Sequence, residues 1–171
     1  MTPKTEDPAL LAAMMQAEEL GFRMEIINGL GVWEFAPAID HARAEKRIVA
    51  SIRRAPHSDG DCGCHWYQDI LIRFPDGSIR RPDISIFCVD PPSSRQALEV
   101  IPEATIEIVS EGSERKDLDL SPDFYLRHGI KDAVVLDPAS GNVWHYRNDR
   151  PPVRGVSPVE IAFECGCVAT V

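Results

Sequence analysis

The chain has 171 residues, with 27 acidic against 18 basic side chains and a formal net charge of −9. Its 44% hydrophobic and 26% charged content excludes a disordered or fibrous chain and fits one domain spanning residues 1–171. So acidic a chain argues against a broad basic face that binds nucleic acid nonspecifically, while leaving room for a local basic strip.

The opening MTPKTEDPALLAAMMQ lacks a basic leader before a long apolar core, so no export signal is expected and the chain reads as cytoplasmic. No apolar run approaches the ~20 residues of a membrane helix. Apolar spacing over residues 8–20 predicts a helix, with Asp7 as its cap and Gly21 as its stop. MEIIN, Gly29 to Gly31 and VWEF then read as a β-hairpin turning at Asn28-Gly29. Residues 41–55 suit a second helix with Ala44, Ile48, Ile52 and Ala55 on one face.

PHSDGDCGC is a loop leading into HWYQDILIRF, whose alternation predicts a strand. The turn PDGS precedes RRPDISIFCV, the next strand, and ATIEIVS (104–110) is a short strand of the buried type. EGSERKDLDL is polar and irregular. Ser121-Pro122 offers a cap and first-turn proline to the short helix DFYLRHG. DAVVLDP, VWHYR and the terminal VEIAFECGCVATV read as further strands, the last a possible exposed edge. The pattern is α+β or mixed α/β.

Most carboxylates here lie in polar loops or on helix faces. Asp83 instead opens the apolar strand ISIFCV, Glu107 stands between Ile106 and Ile108, and Glu25 lies in MEII. Burying an ionised carboxylate is costly unless it is paired, hydrogen-bonded or bound to a cation. Alternation puts Glu107 on the face opposite Ile106 and Ile108, where it lies on a partly exposed edge strand, pairs with an arginine such as Arg81, or converges with Asp83. Oxygen donors of that kind suit Mg²⁺ or Mn²⁺.

The segments RMEIINGLGVWEFAP, RFPDGSIRRPDISIF, ATIEIVSEGSERKD and DFYLRHGIKDAVVLDP occur in an order that resembles the Uma-two family of restriction-endonuclease-like proteins. This family (domain of unknown function 820) belongs to the PD-(D/E)XK nuclease superfamily. The resemblance implies a mixed central β-sheet flanked by helices and Mg²⁺-dependent hydrolysis of phosphodiester bonds in DNA, with Mn²⁺ as a substitute. It implies Asp83 and Glu107 as metal ligands, Glu25 as a third, and a homodimer. The family carries a helix lysine four residues before a tyrosine. Counting back from Tyr125, that place holds Ser121, and Lys116 is the nearest lysine that can substitute. The alternative is therefore a weakened or inactive nuclease fold serving as a binding scaffold.

Arg80, Arg81 and Arg115 flank the acidic residues and are the expected phosphate-backbone contacts. His41 is expected to cap the second helix or to hold a phosphate. His57, His128 and His145 have no nucleophile beside them in the sequence. The five cysteines, including Cys62-Gly63-Cys64 and Cys165-Gly166-Cys167, read as thiols more than as a disulfide framework, with Cys88 a small core residue. A zinc site with His65 as a substitute ligand is the minor reading.

Overall fold

The computed structural model describes residues 8–34, 37–56, 60–111 and 116–171. Asp7, His57 and Arg115 lie outside them. In chain order the elements are α1 (Pro8–Glu19), β1 (Arg23–Ile27), β2 (Leu30–Glu34), α2 (Ile39–Ser51), β3 (Arg53–Arg54), β4 (His65–Gln68), β5 (Ile72–Arg73), β6 (Ile79–Arg80) and β7 (Ile84–Phe87). They continue with β8 (Ala104–Ile108), a π-helical turn (Lys116–Leu120), α3 (Ser121–Arg127), β9 (Asp132–Leu136), β10 (Asn142–Arg147), β11 (Arg150–Val156), β12 (Glu160–Ala162) and β13 (Cys167–Thr170).

A six-stranded mixed sheet, ordered β11-β10-β9-β8-β7-β4, forms the centre. Among the described strands of this sheet only β8 and β9 run parallel, and the π turn and α3 lie on the crossover that a parallel pair needs. Alternation splits the core into two layers. Ile84, Ile86, Ala104, Ile106, Ile108, Val134 and Leu136 pack with Ala44 and Ile48 of α2. On the other face Phe87 and Ala133 pack with Phe124 and Tyr125 of α3 and with Ile72 and Phe74. Every residue of β8 and β9 is buried, as expected of interior strands covered on both faces.

A four-stranded sheet, β2-β1-β6-β5, lies beside this body, with α1 packing Met14 and Ala17 on Met24, Ile26 and Ile79. Its hairpin turns where the sequence predicts. Asn28 and Gly29 take φ of 52° and 79°, the left-handed pair of a tight hairpin turn, and Ile27 pairs with Leu30.

Several local expectations are corrected. The second helix stops at Ser51, whose hydroxyl donates to Ile48 O and accepts from Thr170 N–H, so Arg53-Arg54 leave the helix and pair with β13. HWYQDILIRF is two strands in two sheets, broken at Asp69, which has φ 55° and is clamped by both Arg23 amino groups at 2.7 and 2.8 Å. Lys116–Leu120 is π-helical and runs straight into α3, so Ser121 is a buried helical residue and not a cap. The terminal segment is a hairpin, and β13 is the middle strand of the sheet β12-β13-β3, so it is no exposed edge. Four cysteines are paired, Cys62 with Cys88 and Cys64 with Cys167, leaving Cys165 as a thiol. Among the described residues no helix is long and apolar enough to cross a membrane.

Candidate functional site

The β7–β8 ladder places the acidic residues. Ile84 lies opposite Ile106, so the next positions outward are Asp83 and Glu107. They are tied reciprocally: Asp83 Oδ2 accepts from Ile108 N–H at 2.7 Å, and Glu107 Oε2 lies 3.4 Å from Asp83 N–H. Alternation turns Glu107 toward α3, where Tyr125 donates its hydroxyl to Oε1 at 2.5 Å. On the other side His41 Nε2 sits 3.1 Å from Asp83 Oδ1. The carboxylates thus converge, each held from a different helix.

Glu25, on β1, lies deeper. Its Oε1 accepts from Arg81 N–H at 2.6 Å, while its Oε2 receives Arg80 Nε at 3.0 Å and Lys116 Nζ at 3.3 Å. Both of its oxygens are therefore engaged by donors. Lys116 Nζ also stands 3.3 Å from Asp117 Oδ1. Arg80, expected at a phosphate backbone, is 0% exposed. Its Nη2 donates to Ser121 Oγ at 2.8 Å, and its guanidinium lies over the rings of Phe124 and Tyr125, 5.0 and 4.9 Å from their centroids. A fully buried guanidinium with these partners contacts no backbone phosphate. Arg81 is near the surface and paired with Glu18.

The electrostatics separate the two glutamates. Burial, followed by the nearby Asp83 carboxylate, pushes the Glu107 carboxyl well above the usual range. Burial acts on Glu25 in the same direction, but Arg80 and Lys116 prevail and hold it below that range. Burial disfavours the His41 cation, yet the hydrogen bond and charge of Asp83 raise its pKa overall. Burial raises the Tyr125 phenol far up, so it remains a donor to Glu107. The site thus sets a Glu25 balanced by Arg80 and Lys116 beside an Asp83–Glu107 pair faced by His41.

Sequence reasoning finds Asp83 and Glu107 but misses His41 as a partner of Asp83. The signal is its spacing, since His41, Ala44 and Ile48 form the buried stripe of α2. It also misses Arg80 as an interior cation, because a charged dipeptide beside a turn looks like surface. An open cleft of about 750 Å³ is lined by Asp69, Arg81, Asp90 and Leu98, among others; neither Asp83 nor Glu107 lines it.

Comparison with known proteins bears on the family and the fold. A family model described as "Putative restriction endonuclease" (Uma2) matches residues 11–163. A crystal structure described as a "putative nuclease belonging to DUF820", from Anabaena variabilis ATCC 29413, is similar at a TM-score of 0.60 and 19% identity, over 81% of this chain and 80% of that one. At that identity the likeness concerns the fold, a restriction-endonuclease-like core. No curated protein matches the chain.

Proposed function

This chain belongs to the Uma2 family, and from that premise we propose that it is a Mg²⁺-dependent endonuclease that hydrolyses phosphodiester bonds in DNA. The observation that carries this reading is the cross-strand pair itself. Asp83 and Glu107 are bonded to each other's strands, and burial beside Asp83 makes ionisation of Glu107 unfavourable until a cation arrives. Two hard carboxylate ligands suit Mg²⁺ or Mn²⁺, which keeps its other positions for water and substrate phosphate. When bound, such an ion polarises a phosphate oxygen and lowers the pKa of a coordinated water.

The chain's own residues supply the rest. His41 and Tyr125 fix the two carboxylates by hydrogen bonds at 3.1 and 2.5 Å. We assign Glu25, expected as a third ligand, to holding Arg80 and Lys116 in place, because its oxygens already accept from them. Lys116 is the side chain that would steady a phosphate or hydroxide in place of the family's helix lysine. Arg80, fully buried, instead holds Glu25 and Ser121, the residue at that lysine's position, in place without reaching a phosphate itself. Arg81 and Arg115 remain the proposed backbone contacts, Arg81 by exchanging Glu18 for phosphate. Action as a cytoplasmic homodimer belongs to the same proposal and rests on the resemblance.

A second reading, a catalytically silent scaffold, is favoured by one observation: Arg80 and Lys116 are both bonded to Glu25. Calorimetric titration with Mn²⁺ and cleavage of supercoiled plasmid, for the wild type and Asp83→Asn, separate the two. The nuclease reading expects metal binding and nicking that are both lost in the variant while the fold persists. Metal binding with no cleavage of any DNA or RNA selects the scaffold, and wild-type protein that neither binds Mn²⁺ nor cleaves sinks the nuclease reading.

A further inference from the structure

The five cysteines are far apart in sequence and meet at one place. Cys62 and Cys64 lie in the segment before β4, Cys88 follows β7, Cys165 lies in the β12–β13 turn and Cys167 opens β13. The bridges Cys62–Cys88 and Cys64–Cys167 span 26 and 103 residues, yet Cys62 Sγ of the first lies 3.4 Å from Cys167 Sγ of the second. The thiol of Cys165 joins them, so that the ligand atoms of Cys62, Cys165 and Cys167 all lie within 4.8 Å of one another. All five sulfurs thus form a single cluster, against the end of the apolar core containing Ile161 and Phe163.

The backbone around it is built to hold sulfurs together. Gly63 N–H donates to Cys88 O at 2.8 Å, and a Cβ at Gly63 would come within 2.3 Å of the His65 ring and 3.0 Å of that same carbonyl. Only glycine lets this first Cys-Gly-Cys lie so close to β7. In the second, Gly166 takes φ 90° and donates to Phe163 O at 3.0 Å, while Phe163 N–H donates to Cys167 O at 2.9 Å. That tight turn presents Cys165 and Cys167 toward the first pair.

We infer that the reduced cluster is a thiolate site for a single Zn²⁺ ion, held by Cys62, Cys165 and Cys167 with a fourth sulfur from Cys64 or Cys88. The dimensions fit. Tetrahedral Zn–S bonds of about 2.3 Å put sulfurs ~3.8 Å apart, close to the 3.4 Å between Cys62 and Cys167 and inside the 4.8 Å within which all three ligand atoms lie. Two disulfides also leave the fifth cysteine unused, whereas three ligands from the converging group use it. Two molecules of a dithiol reduce the two bridges to four thiols and become cyclic disulfides, and the metal then displaces one proton from each of its four ligands. His65 stands outside the converging group among the described residues.

The test needs no nuclease activity, so its failure would leave the acidic site untouched. The full chain is reduced with dithiothreitol, freed of reductant without oxygen, and titrated with Co²⁺ and then Zn²⁺. One equivalent of Co²⁺ should give the visible bands of tetrahedral thiolate coordination, and Zn²⁺ should abolish them. Cys165→Ser leaves both bridging pairs intact and should weaken metal binding roughly tenfold or more, since loss even of an outer-shell partner costs ~10–100-fold. Cys64→Ser and Cys88→Ser then identify the fourth ligand by which one removes the bands. A folded, fully reduced chain that gives no tetrahedral Co²⁺ bands overturns the site, and so does binding that Cys165→Ser leaves unchanged.

Discussion

At the scale of single residues, the most consequential side chain is Arg80. It is fully buried, and its charge is matched by Glu25 at 3.0 Å, by Ser121 at 2.8 Å and by two aromatic faces. Removing one member of such a pair leaves an uncompensated buried charge, worth about 3–5 kcal/mol, whereas removing both is far milder. Arg80→Met should therefore lower stability in urea unfolding by about 3–5 kcal/mol. Adding Glu25→Gln should recover at least ~1 kcal/mol of that loss through coupling in the double-mutant cycle. Effects that simply add would show that Lys116 and the Arg81 N–H satisfy Glu25 on their own. Little of this was visible in the sequence. Glu107 was legible because a carboxylate flanked by isoleucines in a buried strand needs a reason, but nothing local to Arg80-Arg81 tells which of the two turns inward.

At the scale of elements, the hairpin at Asn28-Gly29, the buried strands at 104–108 and 132–136 and the helix before Gly129 were all legible from turn chemistry and apolar runs. What failed were boundaries decided by distant partners. The alternation of HWYQDILIRF continues through Asp69, so only the Arg23 clamp from another strand shows that the chain changes sheet there. Asp132 is a comparable hidden junction. At the start of β9 it accepts from His145 at 2.7 Å and from Arg147, both on β10, and from Glu164 N–H at 2.8 Å beyond β12. Burial opposes its ionisation, but His145, the Glu164 amide and Arg147 hold its carboxyl below the usual range. Its folded pKa is thus lower than the unfolded value of 3.8, so its stabilisation is fully present above pH 3.8 and is lost as pH falls through the folded pKa. Asp132→Asn should cost about 3 kcal/mol at neutral pH, and its deficit relative to wild type should shrink steadily below that point. A deficit independent of pH would assign the loss to packing and not to charge.

At the scale of the whole molecule, the distribution of cations limits how DNA, the proposed substrate, can be held. The net charge is −9, and many arginines and lysines among the described residues already have carboxylate partners. Arg23 pairs with Asp69, Arg53 with Glu160, Arg81 with Glu18, Arg127 with Asp123, Lys131 with Glu103 and Arg147 with Asp132. Arg80 is withdrawn into the interior altogether. Each phosphate neutralised on a duplex steepens the dependence of log K on log salt by about 0.9. With Arg43, Lys116 and Arg150 also paired, ten of the eighteen basic side chains are held among the described residues, so the chain should neutralise about three phosphates or fewer, giving a slope no steeper than about −3. Fluorescence anisotropy of a labelled duplex with Asp83→Asn, which the nuclease proposal expects not to turn over, measures that slope directly between ~50 and ~200 mM salt. A slope near −6 or steeper would mean that phosphates displace the carboxylate partners on binding. The shallow slope would instead mean that little of the affinity comes from phosphate neutralisation and that the carboxylate pairs persist on the duplex.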